Sequence, residues 1–78
     1  MIISFHAKDE MASSSITEDE IKACLEHGEL VIKQIVNGEM RYGKQIDFKD
    51  KTIIVIYTYQ HEEERVITTY PVRRKKQW

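Results

Sequence analysis

The chain divides into two unlike halves, and this division limits the folds that it can adopt. Residues 1–30 carry apolar side chains at helical spacing, whereas residues 31–70 show strand-like alternation interrupted by turn signals. Helices followed by a run of strands predict an α+β fold, in which the helices pack on a sheet. At 78 residues, the chain has room for a single domain with one layer of helix.

The first half predicts two short helices, at about residues 5–13 and 18–27. The second helix has the clearer start, because Thr17 and Glu20 have the spacing of a capping box, in which each side chain accepts a hydrogen bond from the other residue's backbone amide. Gly28 is predicted to end this helix in a left-handed conformation. The predicted apolar stripe of this helix consists of Ile21, Cys24 and Leu25.

The second half predicts four strands joined by short turns. Asn37-Gly38 is a strong hairpin signal, because both residues tolerate positive φ. Thr52–Tyr59 is the most apolar segment, which predicts a central strand buried on both faces. Pro71 has no amide proton and is expected to end the last strand. The predicted strands are residues 30–36, 39–48, 52–59 and 64–70, followed by a basic tail at residues 71–78.

The predicted architecture is therefore two N-terminal helices on one face of a four-stranded antiparallel sheet whose other face is uncovered.

Charge is uneven along this chain. Residues 1–40 contain three Lys and eight acidic residues, whereas residues 41–78 contain nine Lys or Arg and five acidic residues. This asymmetry indicates an anionic partner for the second half, unless the charges only solvate the surface.

Composition narrows the functional classes further. No apolar run approaches the roughly 20 residues of a membrane helix, and the N-terminus lacks the pattern of a secretory signal. A lone Cys24 cannot form an internal disulfide, which favours the cytoplasm, and its position on the apolar stripe predicts a buried structural thiol. The three His show no metal-ligand spacing and no cofactor motif is present, so we expect neither metal nor cofactor.

Two arginines on the predicted strands are candidates for a binding site. Arg41 and Arg65 each lie among apolar neighbours, so both are expected on the face that the helices leave uncovered. Two guanidinium groups on one face can hold a phosphodiester, and the rings of Tyr42 or Tyr70 can stack on bases. If such a surface cleaved RNA, the cations would stabilise charge on the phosphate and a His or Tyr would transfer protons.

The same cations also have purely structural interpretations. Arg41 and Arg65 can form cross-strand ion pairs with Asp47 or Glu64, each worth a few tenths of a kcal/mol. The basic cluster at residues 73–76 is equally typical of a solubilising chain end. Spacing alone leaves both interpretations open.

Several short stretches resemble domain-of-unknown-function family 4258. These stretches are Ile3-Ser4-Phe5-His6-Ala7, Met11, Ile16-Thr17-Glu18-Asp19-Glu20-Ile21, Gly28-Glu29, Arg41-Tyr42-Gly43 and Val66-Ile67-Thr68-Thr69-Tyr70. The resemblance implies a helix–helix–sheet domain similar to the RelE, ParE and BrnT toxins of toxin–antitoxin modules. Several of those toxins cleave RNA with basic, tyrosine and histidine side chains and are neutralised by a partner antitoxin.

The resemblance implies functional roles for residues at matching positions, and the strand pattern and the basic tail add others. The candidate catalytic residues of a metal-independent ribonuclease are His6, Arg41 and Tyr70. The candidate RNA-binding residues are Tyr42, Arg65, Arg73 and Arg74. Two departures imply a weakened or inactive relative: Glu10 stands where the family usually has Arg, and Ser14-Ser15 replaces an Arg-Gly pair.

Two functional hypotheses follow. The first is a small cytoplasmic toxin homologue of the RelE/BrnT type that binds RNA, with RNA cleavage as a further activity. The second is a non-catalytic protein-interaction module, in which the uncovered sheet face or an edge strand pairs with a second copy or with a partner peptide. The corresponding partners are RNA, an antitoxin-like protein or another copy of this chain.

Overall fold

The computed structural model describes residues 1–73, which form two helices and a five-stranded sheet. The elements in chain order are β1 (Ile2–Ile3), α1 (Phe5–Ser14), α2 (Glu18–His27), β2 (Glu29–Val36), β3 (Glu39–Asp47), β4 (Thr52–Gln60) and β5 (Glu63–Val72). The strand order across the sheet is β1-β5-β4-β3-β2, so β4 is central as predicted. The α+β fold with two helices and a sheet is confirmed.

The prediction of a four-stranded antiparallel sheet is wrong. A fifth strand, β1, pairs in parallel with β5, with Ile2 opposite Arg65 and Ile3 opposite Val66. The other strand pairs are antiparallel, so the sheet is mixed. A two-residue strand has no periodicity to recognise, and its partner lies near the other end of the chain.

The last strand also extends further than predicted. β5 continues through Pro71, which lies opposite Ile53, and ends at Val72. Proline is tolerated here because β1 reaches only Arg65 and Val66, so no strand among the described residues pairs with the outer side of β5 at Pro71.

Side chains cap the start of both helices. The Ser4 hydroxyl accepts a hydrogen bond from the Ala7 amide in the first turn of α1 at 3.1 Å. The predicted capping box of α2 is confirmed, since the Glu20 amide donates to Thr17 Oγ1 at 3.1 Å and the Thr17 amide donates to Glu20 Oε1 at 2.8 Å. Gly28 has φ −68°, so its predicted left-handed cap is wrong. Glycine is favoured there because a β-carbon would collide with the carbonyl oxygen of Cys24.

The hydrophobic core lies between the helices and one face of the sheet. The predicted buried thiol of Cys24 is confirmed: it donates to the Lys44 carbonyl at 3.2 Å, and burial raises its pKa to about 11. The core residues are Ala7, Ile16, Ile21, Cys24, Leu25, Ile53, Val55, Tyr57 and Val66.

The pairing register assigns the other side chains to one of two faces. Residues directly opposite each other on paired strands point to the same side, and successive residues alternate except at a bulge. β5 has such a bulge at Ile67, because Thr68 lies opposite Ile56 and Val66 lies opposite Tyr57. We call the side that carries the helices the covered face, and the other side the open face. The covered face includes Tyr42, Lys44 and Ile46 of β3, opposite Tyr57, Val55 and Ile53 of β4. The open face includes Arg41, Gly43, Gln45, Ile54, Ile56, Thr58, Arg65, Thr68 and Tyr70.

The helices cover only one end of the covered face. The start of α2 is held near the β3–β4 turn, because Lys51 Nζ contacts Glu20 Oε1 at 2.8 Å. Its end is held by Lys44, whose Nζ donates to the Leu25 carbonyl at 2.7 Å. The two hairpins β2–β3 and β4–β5 extend past this point, and at that end of the sheet both faces are free of helix.

Candidate functional site

Arg41 and Arg65 lie on the open face at the helix-free end of the sheet. Arg65 is directly opposite Thr58 of the central strand. Continuing the β3–β4 register by one residue places Arg41 opposite the same Thr58. Two strand spacings of about 4.8 Å each therefore separate the backbones of the two arginines. As expected from the sequence, the side chains of Arg41 and Arg65 point to the face of the sheet that does not carry the helices.

Carboxylates offset the positive charge of this pair. Arg41 Nε donates to Glu39 Oε1 at 3.3 Å, a partner on the same strand rather than across the sheet. Within residues 1–73, Arg65 has no ion-pair partner, but Glu63 lies two positions before it on the same face. Glu63 in turn binds the ammonium group of Met1 at 2.7 Å. Cations and anions are thus nearly balanced at this end of the open face.

Tyr70 and Arg73 lie away from the two arginines. Tyr70 is on the open face opposite Ile54, four residues along β4 from Thr58, which corresponds to about 13 Å. Arg73 follows the far end of β5, eight residues beyond Arg65 or about 26 Å in an extended chain. The remaining RNA-binding candidate, Arg74, lies outside the described residues.

His6 lies on the opposite side of the sheet from Arg41 and Tyr70. It belongs to the first turn of α1 in the helix layer, and its Nε2 is 4.0 Å from Glu10 Oε1. Its side chain is 66% exposed and points to solvent. The structure therefore does not bring the three candidate catalytic residues together.

Tyr42 belongs to a tyrosine cluster on the covered face, which we define as Tyr42, Tyr57 and Tyr59. The rings of Tyr42 and Tyr57 stack at 5.6 Å, and Tyr59 lies edge-on to both at 5.8 Å. Burial raises the pKa of Tyr57 to about 12, and the neighbouring Tyr59 phenol contributes in the same direction. The Lys44 ammonium lies 5.7 Å from the Tyr57 ring centre. The cluster extends the core beyond the helices, so Tyr42 packs against protein on the side away from the arginines.

β2 carries more exposed large apolar side chains than any other described strand. Three of its apolar side chains are exposed: Leu30 by 50%, Val31 by 44% and Ile35 by 69%. β2 forms the end of the sheet, so one of its edges has no partner strand within residues 1–73. Its ladder with β3 is regular from Ile32 to Val36 and is interrupted at Val31. The sequence predicted an exposed edge strand but did not indicate which strand it is.

The opposite edge of the sheet is better protected. There β1 covers Arg65 and Val66, and the Ser4 amide and hydroxyl donate to the carbonyls of Val66 and Ile67 at 3.0 and 2.9 Å. Pro71 then interrupts the outer row of amide donors. Such protection is sparse on β2, where Lys33 is the one charged residue between Leu30 and Val36.

A cleft of about 290 Å³ opens at the helix-covered end of the sheet, far from Arg41. It is lined by Lys49, Asp50, Lys51, Thr52, Pro71, Val72 and Arg73. Lys51 is already engaged with the Ser15 carbonyl at 2.7 Å and with Glu20. Lys49 and Arg73 are the other two cationic side chains that line the cleft, and the negative charge of Asp50 offsets part of their positive charge.

The described part of the chain, residues 1–73, contains no group of three or more His, Cys, Asp or Glu side chains placed to hold a metal ion. None of its helices has the length and apolar character needed to cross a membrane.

Comparison with known proteins supplies the family. Residues 3–71 match the family described as Domain of unknown function (DUF4258). The chain belongs to this family. Searches of the curated proteins and of the solved structures found no match, so the similarity to RelE, ParE and BrnT toxins is not confirmed by a relative.

In this DUF4258 chain, the three residues of the Arg41-Tyr42-Gly43 stretch occupy three different environments. Arg41 is on the open face, Tyr42 is in the tyrosine cluster, and Gly43 lies beneath the side chain of Ile32. Tyr42 and Gly43 therefore have a packing explanation, whereas the side chain of Arg41 forms an ion pair with Glu39 on the open face.

Proposed function

We propose that this DUF4258 chain is a non-catalytic protein-interaction module that binds its partner along the free edge of β2. The observation that carries the proposal is the exposure of Leu30, Val31 and Ile35 on an edge strand whose outer side has no partner strand within residues 1–73. An added strand would satisfy the free backbone amides and carbonyls of β2 and cover these side chains.

The placement of the candidate catalytic residues favours binding over catalysis. His6 lies in the helix layer, whereas Arg41 and Tyr70 lie on the open face. A general acid or base must come within hydrogen-bonding reach of the proton that it transfers. With His6 and the other two side chains on opposite sides of the sheet, the proposed activity is association rather than RNA cleavage.

We further propose that the chain acts in the cytoplasm, where the Cys24 thiol stays reduced.

Site-specific photocrosslinking in growing cells tests this proposal. A photoreactive phenylalanine analogue at Ile35 is expected to give protein adducts, of this chain or of another. The matched position is Lys22, which is also exposed but lies on α2. Equal adduct yields at the two positions, or none at Ile35, would contradict binding along β2.

RNA binding of the RelE/BrnT type is the second candidate function, and one observation favours it. Arg41 and Arg65 are on the same face and flank Thr58, so both guanidinium groups can approach one phosphodiester backbone. The neighbouring Glu39 and Glu63 reduce the positive potential, which predicts weak, strongly salt-dependent binding. In this case the protein partner at β2 would be antitoxin-like.

A titration of purified protein with a short, unstructured RNA at several salt concentrations separates the two candidates. If Arg41 and Arg65 each contact a phosphate, Arg41→Ala and Arg65→Ala should each flatten the slope of log affinity against log salt by about 0.7. Lys22→Ala removes the same charge from the other side of the molecule and should leave the slope unchanged. A slope unaffected by either arginine variant would exclude this phosphate site.

A further inference from the structure

We propose that the partner of β2 is β2 of a second copy of this chain, paired antiparallel about a two-fold axis with Gln34 opposite the partner subunit's Gln34. This inference rests on the proposed function and names its partner. It follows from three properties of the strand. These are the symmetry that a pair of identical edge strands requires, the interruption of the β2–β3 ladder at Val31, and the position of Lys33, the one charged residue between Leu30 and Val36.

Symmetry limits how two copies of β2 can pair. Two identical antiparallel edge strands are related by a two-fold axis perpendicular to the sheet, so the helices of both copies lie on the same side. Residues that point to one face must then lie opposite residues that point to the same face. A residue of β2 therefore lies on the axis, opposite its own copy, and the choice of that residue defines the register.

Only one register pairs the whole regular part of β2 and also keeps the two copies of Lys33 from lying opposite each other. The interruption at Val31 confines regular pairing to Ile32–Val36. An axis at Lys33 would place two ammonium groups directly opposite each other, which is unfavourable. An axis at Ile35 would leave only Gln34 and Val36 paired on either side of it. An axis at Gln34 pairs all five residues and separates the two lysines.

This register covers Ile35, the most exposed of the three apolar side chains of β2, and leaves Leu30 and Val31 outside the paired segment. On the covered face, Ile35 lies beside the partner's Lys33, whose aliphatic stem can pack on it while the ammonium group reaches water. Ile35 is 69% exposed in the single chain, so this contact removes much apolar surface from solvent. On the open face, Ile32 lies opposite the partner's Val36. Charged residues are absent from the open-face row of Ile32, Gln34 and Val36.

The size of the contact sets the expected affinity. Five residue pairs between two edge strands bury far less than the roughly 1,200 Å² of total surface that is typical of stable complexes. The dimer should therefore form and dissociate with protein concentration. Sedimentation of the unmodified chain should show a mass rising from 9.3 kDa toward twice that value as concentration increases.

Cysteine crosslinking tests the register directly. Residues on the axis have β-carbons about 4.5–5.5 Å apart, close to the distance that a disulfide spans. Gln34→Cys should thus form a disulfide-linked dimer rapidly under mild oxidation. Lys33→Cys is the matched control: it is equally exposed and adjacent in sequence, but the two copies of position 33 lie diagonally apart, so it should react at least tenfold more slowly. The native Cys24 is buried, and the unmodified chain should not crosslink.

The outcomes separate this inference from the proposed function. Equal rates for the two variants, faster crosslinking of Lys33→Cys, or a mass of 9.3 kDa at all concentrations would overturn pairing of β2 with itself. If photocrosslinking at Ile35 still captured a different protein, the edge would remain an interaction site with another partner. If neither experiment gave adducts, both proposals would fail.

Discussion

The side chain of Ile32 fills the space directly above the α-carbon of Gly43. A β-carbon at position 43 would lie 2.8 Å from Ile32 Cβ and 2.9 Å from Ile56 Cδ1. Ile32 and Gly43 are opposite each other in the β2–β3 ladder, so the backbones cannot separate without breaking the pairing. The missing side chain of Gly43 allows the two isoleucines to pack over the open face.

Gly43→Ala is therefore expected to destabilise the fold. Overpacking of this kind typically costs about 1–3 kcal/mol in the free energy of unfolding. Denaturant unfolding of Gly43→Ala, Ile32→Gly and the double variant would measure the cost, because glycine at position 32 removes the β-carbon that alanine would keep. If Ile32 is the cause, the double variant should lose clearly less stability than the sum of the single variants. Additivity to within about 0.5 kcal/mol would show that the two residues do not interact.

Thr17→Ala should destabilise the chain by about 1 kcal/mol, because it leaves the Glu20 amide without an acceptor. Thr17→Ser retains a hydroxyl at the same position and should preserve most of the stability. The midpoints of urea unfolding of the two variants and the unmodified chain would give the comparison. Equal losses for Ala and Ser would indicate that the methyl group of Thr17, rather than its hydroxyl, matters.

Acid should weaken the fold partly through Glu20. Partial burial disfavours the charged carboxylate and so raises the pKa of Glu20. Hydrogen bonds from Lys51 and from the Thr17 amide, together with the positive charge of Lys51, lower the pKa by more, so that overall it lies below 4.5. A carboxylate with a lowered folded-state pKa stabilises the fold above its ordinary pKa, and this stability is lost as pH falls through the folded-state value. The free energy of unfolding should thus decline more steeply below pH 4.5 in the unmodified chain than in Glu20→Gln. Parallel curves for the two proteins would contradict this.

Alkali should destabilise the fold through Tyr57. Its pKa is raised by burial from 10 to about 12, so the unfolded chain releases this proton more readily than the folded chain. The associated stability is present below pH 10 and is lost as pH rises toward 12. Tyr57→Phe should reduce this pH dependence, whereas Tyr70→Phe on the open face should not. Tyrosinate absorbance together with the unfolding midpoint would follow the effect.

His6→Ala should leave any action of the purified chain on RNA unchanged, because His6 lies across the sheet from Arg41 and Arg65. The rate of RNA degradation and the affinity for RNA would both be measured, with Arg41→Ala as the variant expected to lower affinity. Loss of RNA cleavage in His6→Ala at unchanged affinity would show that His6 participates in catalysis and that the proposed non-catalytic function is wrong.

Local patterns in the sequence predicted those features whose causes are local. The capping box formed by Thr17 and Glu20 depends on residues three apart, and the hairpin at Asn37-Gly38 depends on two residues that accept positive φ. The alternation of strand residues likewise placed Arg41 and Arg65 on the face away from the helices. These predictions needed no knowledge of which strands pair.

The tertiary structure decided the features that depend on pairing between distant segments. The parallel contact of Ile2 with Arg65, the tyrosine cluster around Tyr57 and the position of β2 at the end of the sheet all follow from strand order, which short-range periodicity does not encode. Packing of α1 on the covered face placed His6 across the sheet from Arg41 and Tyr70, although all three had been predicted to act together. The sequence by itself therefore determined the elements and the alternation of their side chains. Which side chains share a surface was decided by long-range packing, because each face is assembled from strands that are far apart in the chain.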